Sequence, residues 1–96
     1  MRLCRGGDAT DERVDQALDQ TDAMLDRAAG VVEESGSDRA MAKFQLAMNQ
    51  QTEAKKQFVD GHAKGALRLT LAARDSIRLA LRLADHATDS SDSGDA

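Results

Sequence analysis

The sequence predicts an all-α protein, an antiparallel three-helix bundle with heptad-like packing and disordered termini, and three observations carry that expectation. None of the 96 residues is proline, so no helix interior loses a backbone donor. Three segments place apolar residues at alternating spacings of three and four, the period of a helix with one buried face. Glycine punctuates the pattern at Gly36 and Gly61, and this divides residues 8–88 into stretches of similar length.

The first helix is expected over about 8–34. Val14, Leu18, Thr21, Leu25, Ala28 and Val32 form its stripe, and Ala17, Met24 and Val31 widen the same face at spacings of seven. Ser35-Gly36-Ser37-Asp38 then breaks the chain: Gly36 suits the left-handed position after a helix, and Ser37 or Asp38 can cap the next one. The second helix is expected over about 38–60, with Met41, Phe44, Met48, Gln51, Lys55 and Phe58 on its seam and Ala40, Ala47 and Ala54 beside them. Gln51 and Lys55 stand out there. They read as a peripheral glutamine and a snorkelling lysine, or as polar residues facing a partner, where a seam position can set register or partner number. The third helix, about 63–88, carries Ala66, Thr70, Ala73, Ile77, Ala80, Ala84 and Ala87. Matched lengths and short loops favour antiparallel neighbours. Residues 1–7 and the Ser/Asp-rich acidic tail 89–96 lack large apolar groups to offset the entropy of ordering, and both are expected to be disordered.

Composition removes several classes of function. One cysteine can form no internal disulfide and cannot supply a zinc site of two to four thiolates. The N-terminal residues contain no apolar run of the length a signal peptide needs, and no stretch of eighteen apolar residues exists to span a bilayer. A soluble cytoplasmic protein is the expectation. Catalysis needs tuned groups converging in a cleft, and the inventory is thin. His62 falls at the second loop and His86 near the end of the third helix, about 36 Å apart along a straight helix. Cys4 has no positioned base or helix terminus to activate it, and Gly6-Gly7 lacks the lysine of a phosphate loop. No enzyme activity, cofactor, metal site or small-molecule substrate is expected.

Charge is unevenly spread. Residues 8–34 hold nine acids and two arginines, whereas residues 62–88 hold five bases and two aspartates, within a chain of net charge -4. Asp11, Asp15, Asp19, Asp22 and Asp26 fall within about 80° of a helical wheel. The repulsion is expected to be offset by the Lys64, Arg68, Arg78 and Arg82 flank of the third helix lying alongside. A pI near 5 with no Tyr or Trp for stacking argues against nucleic acid as a partner.

Residues 67–84 hold eleven apolar residues and four arginines. Their apolar sector spans roughly 200° of the wheel, more than one neighbouring helix covers. The candidate interaction residues are therefore Leu67, Leu69, Leu71, Leu79, Leu81 and Leu83, with Arg78 and Arg82. Either this is the central helix, packed by both others, or part of the sector forms an interface. The same mixture of leucine and arginine suits an amphipathic helix lying on a membrane surface.

From Ala54 through Ala73 the chain reads AKKQFVDGHAKGALRLTLAA. It resembles the helical hairpin of a tetratricopeptide repeat: Ala54 stands at a small-residue position, Gly61 at the turn glycine, and Ala66 and Ala73 at the small packing positions of the second helix. It departs from that pattern at Gln50, Glu53, Gln57, Ala63, Thr70 and Arg78. The resemblance implies a protein-binding module. The expected function is thus a non-enzymatic interaction or scaffold protein acting by self-association or helix pairing through the third helix, with peripheral membrane binding as the alternative.

Overall fold

The computed structural model describes the backbone of residues 5–93 and the side chains of residues 11–87. It contains three helices packed on one another, α1 (Arg5–Ser35), α2 (Asp38–Val59) and α3 (Ala63–Ser93), and no strand among the described residues. The helices differ slightly from their expected bounds: α1 starts at Arg5 rather than 8, and α3 continues to Ser93 rather than 88. Residues 1–4 and 94–96, the outer parts of the two arms expected to be disordered, lie outside the described residues.

Both loops work by the chemistry their sequences carry. At the first, Gly36 takes φ +67° and its N–H donates to the Glu33 carbonyl at 3.3 Å. The Ser35 hydroxyl donates to the Val32 carbonyl at 2.7 Å and accepts from the Ser37 N–H at 3.1 Å. One hydroxyl thus bridges the donor and acceptor that would otherwise close the last turn directly. Ser37 then caps α2, its side chain accepting from the Ala40 N–H at 3.1 Å. At the second loop Gly61 takes φ +89°, the His62 N–H donates to Gln57 O at 2.8 Å and the Gly61 N–H to Phe58 O at 3.1 Å. That pair of bonds is a Schellman ending, for which a residue without a Cβ is the favoured choice.

The core runs the length of the bundle as small clusters. Val14 and Leu18 meet Ala54 and Ala66; Ala28 meets Ala47 and Ile77; Val32 meets Ala40, Ala80 and Ala84. Phe44 and Phe58 pack on these clusters as half-buried caps. On α1 and α3 the buried positions follow the predicted spacing, with Leu25 and Ala87 half-buried, Val31 exposed and Ser76 buried in addition. On α2 they do not. Ala40, Ala47 and Ala54 are buried, while Met41 and Met48 are exposed and Lys55 lies on the surface. The alanine series Ala66, Ala73 and Ala80 of α3 is likewise buried, so the two helices approach with methyl groups between them, and a methionine stem has no room on that line.

Between the first two clusters lies a polar layer with one residue from each helix. Thr21, Gln51 and Thr70 are all buried, Gln51 to 2%. The Gln51 amide donates to the Leu18 carbonyl at 2.9 Å and to Asp22 Oδ1 at 3.1 Å, and its Oε1 lies 2.7 Å from the Thr70 hydroxyl. Thr70 Oγ1 is also 2.8 Å from Thr21 Oγ1, which lies 2.9 Å from the Ala17 carbonyl. Each hydroxyl owns one proton. The Thr70 proton therefore serves Gln51 Oε1, which no other described group donates to, and the Thr21 proton is shared between Ala17 O and Thr70. Gln51 is accordingly an interior residue and not the peripheral one expected, because two other helices supply partners for its carboxamide.

Candidate interaction surface

The packing of α3 divides the leucines of residues 67–83 between its two edges. Leu67 and Leu69 are half-buried against the Val14, Leu18, Ala54 and Ala66 cluster. Leu81 packs on the Ala28, Ala47 and Ile77 cluster and Leu83 on the Val32, Ala40, Ala80 and Ala84 cluster. Leu71 and Leu79 remain exposed, at 44% and 38%. Arg78 and Arg82 are exposed as well, and Arg78 pairs with Asp75 on its own helix at 3.4 Å. The centre of the wide apolar sector is thus filled by Ala66, Thr70, Ala73, Ile77, Ala80 and Ala84, all buried, and the leucines form its two shoulders.

Each shoulder opens on a shallow cleft. Along the α1 edge, Met24, Arg27, Ala28, Val31, Ile77 and Leu81 line a cleft of about 310 Å³ with almost wholly apolar walls. Val31, 49% exposed, also borders two adjoining hollows, one reaching Arg78, Arg82 and Asp85 and the other Glu34 and Ser35. Along the α2 edge, Leu79 and Leu83 lie beside Arg39, Ala42 and Lys43. The two edges share a character: an aliphatic floor with arginine or lysine at the rim. Met24 and Val31 were visible in the sequence as the residues that widen the α1 stripe, and the structure turns that widened flank towards α3.

The acidic stripe of α1 does not lie against the basic flank of α3. Asp11, Asp15, Asp19 and Asp26 are exposed, and Asp22, which accepts from Gln51, pairs with Lys55 of α2 at 2.9 Å. Asp22 and Asp26 border a cleft between α1 and α2 that also holds Leu25, Phe44 and Met48. The expected partners Lys64, Arg68, Arg78 and Arg82 are exposed on the outer side of α3, and none of them pairs with the stripe among the described residues. The reason is angular. With about 100° per residue, the aspartates lie on the opposite side of the buried stripe from Ala17, Met24 and Val31, the side that meets α3. The α3 residue that reaches α1 is instead Arg74. Its guanidinium donates to Thr21 Oγ1 at 3.0 Å, to the Ala17 carbonyl at 3.1 Å and to Gln20 Oε1 at 3.1 Å, all neutral acceptors.

His62 and His86 are exposed, and no group of three His, Cys, Asp or Glu side chains stands ready to hold a metal ion among the described residues. Cys4 lies outside the described residues. No helix among them is long and apolar enough to cross a membrane. No protein-family model, curated protein or solved structure matches the chain.

Proposed function

We propose that this is a non-enzymatic protein that acts by association, with a second copy of itself or with another helical partner, through α3 and its α1 edge. The observation that carries the reading is the exposure of Leu71 and Leu79 on α3 together with that of Val31 on α1, the last beside the half-buried Leu81 on clefts rimmed by Arg27, Arg78 and Arg82. Water contact at these side chains is relieved when a second apolar ridge covers them, and the arginines favour a partner with carboxylates flanking that ridge. The bundle itself reads as antiparallel with heptad packing. In support, the clusters take rising residue numbers along α1 and α3 and falling numbers along α2. The burial of Ala54, Ala66 and Ala73 and the turn at Gly61 are in keeping with the tetratricopeptide-like hairpin and its role in binding proteins. A lone cysteine fits a reducing compartment, the cytoplasm.

Light scattering coupled to size exclusion tests the self-association version. The wild type at tens of micromolar is expected to run as a dimer, and the double variant Leu71→Glu/Leu79→Glu as a monomer with its melting temperature nearly unchanged, because both side chains already touch water. A wild-type monomer removes the homotypic form of the proposal. The strip of exposed Lys64, Arg68, Arg78 and Arg82 around Leu71 supports a second reading, docking on an anionic membrane surface. Co-sedimentation with phosphatidylserine vesicles at low salt decides it, and protein left wholly in the supernatant removes it.

A further inference from the structure

The interface between α2 and α3 carries little information about register in its closest contacts. Ala40, Ala47 and Ala54 recur every seven residues on one helix and Ala66, Ala73 and Ala80 every seven on the other, all fully buried. Sliding α3 by seven residues, about 10 Å along its axis, brings alanine onto alanine again. Apart from the short turn at Gly61, the positions between the alanines decide, and there the chain has Phe58, Gln51 and Phe44 on α2 against Ala63, Thr70 and Ile77 on α3. Both aromatic rings are half-buried, Phe44 over two clusters and Phe58 over one, and with no polar atom to strand they tolerate a shifted floor. Gln51 does not. In the observed register its Oε1 takes the Thr70 proton, while a slip in one direction sets it against Ile77 and in the other against Ala63, neither of which has a side-chain donor. A buried carbonyl without a donor is costly, and the threonines escape that cost more easily, since a threonine hydroxyl can turn to its own helix as Thr21 does towards Ala17 O.

We propose that the Gln51–Thr70–Thr21 layer sets the register of the three helices, rejecting the slips that the alanine columns alone would accept. Gln51 carries the discrimination. Its amide end is held by Leu18 O and Asp22 of α1, which aims Oε1 at α3 and couples the register of all three helices through one side chain. Arg74 reinforces the same level from α3 by its bonds to Thr21 and Ala17. This role holds whether or not the outer surface binds anything, and its test is separate.

The test is a spin-label distance measurement across the slip direction. Nitroxides on the exposed positions 56 and 85, introduced as Lys56→Cys and Asp85→Cys in a Cys4→Ser background, are separated mainly along the bundle axis. The labelled protein is diluted into excess unlabelled protein so that any dimer contributes little. Wild type and Thr70→Ser, which keeps the hydroxyl, are expected to give one narrow population. Gln51→Leu/Thr70→Val is expected to stay helical by circular dichroism and to show a second population displaced by close to 10 Å. A folded Gln51→Leu/Thr70→Val protein with only the wild-type distance overturns the proposal. So does an unfolded one, since the layer would then serve stability and not register, and so does a second population in Thr70→Ser.

Discussion

Replacing Ile77 by alanine separates the interior of α3 from its shoulders more cleanly than any other single change. Ile77 is fully buried and packs with Ala28 and Ala47, yet it also floors the cleft that Met24, Val31 and Leu81 border. Truncation removes three carbons, and at about 0.8 kcal/mol each their transfer alone is worth roughly 2.4 kcal/mol. The cavity left behind adds to this, but the adjoining cleft lets Met24 and Leu81 relax into the gap, which keeps the sum in the lower half of the usual range, about 3 kcal/mol. For a domain of this size each kcal/mol moves the midpoint by roughly 4–8 °C, so a drop of about 12–24 °C is expected. Thermal and urea unfolding followed by far-ultraviolet circular dichroism measure it. Leu79→Ala is the internal control: two residues away and equally apolar, it is 38% exposed and should cost less than about 1 kcal/mol. Equal losses for the two variants, or a loss below about 1 kcal/mol for Ile77→Ala, would refute the division of α3 into a buried centre and open shoulders.

Two further outcomes follow from local chemistry. Gly30 lies in the interior of α1 with nothing within 4 Å of where a Cβ would stand, so Gly30→Ala should stabilise by about 1 kcal/mol and raise the melting temperature, with association unaltered. Ser37→Ala removes the side-chain acceptor of the Ala40 N–H and should cost about 1 kcal/mol in urea unfolding, whereas Ser37→Asp, which restores an acceptor, should recover most of it.

Much of this architecture is legible in the residues, for identifiable reasons. Absence of proline, the two glycines and the spacing of Val14 to Val32 locate three helices and the buried face of α1, because those signals are local. The seam of α2 is harder to read. Hydrophobicity favours Met41 and Met48 over Ala40 and Ala47, but the winning criterion is how closely two backbones can approach, a property of the α2–α3 pair. Gln51 looks misplaced on its own helix and becomes satisfied only when Leu18, Asp22 and Thr70 arrive from the other two. Its signal was nevertheless present: Thr21 and Thr70 each interrupt an otherwise apolar series, and Gln51, with Lys55, interrupts that of α2. The acidic stripe shows the same limit, since net charge suggests a pairing of α1 with α3 that the rotation of α1 about its own axis does not allow. The leucines of α3 could be identified as a set, but their division between two edges depends on where both neighbours sit.

The methyl-lined contact between α2 and α3 has a thermodynamic consequence. Alanine has no side-chain torsions to freeze, so the alanine columns of this contact immobilise no rotors, and the entropy loss along them falls on backbone already ordered by helix formation. The rotatable side chains flank that contact: Leu18, Met24 and Leu25 come from α1, Phe44 and Phe58 from α2, and Leu67, Leu69, Leu81 and Leu83 from α3. The line where the two backbones come closest is thus also the line whose closure demands least restriction of side-chain motion, and that restriction is concentrated in the larger residues on either side of it.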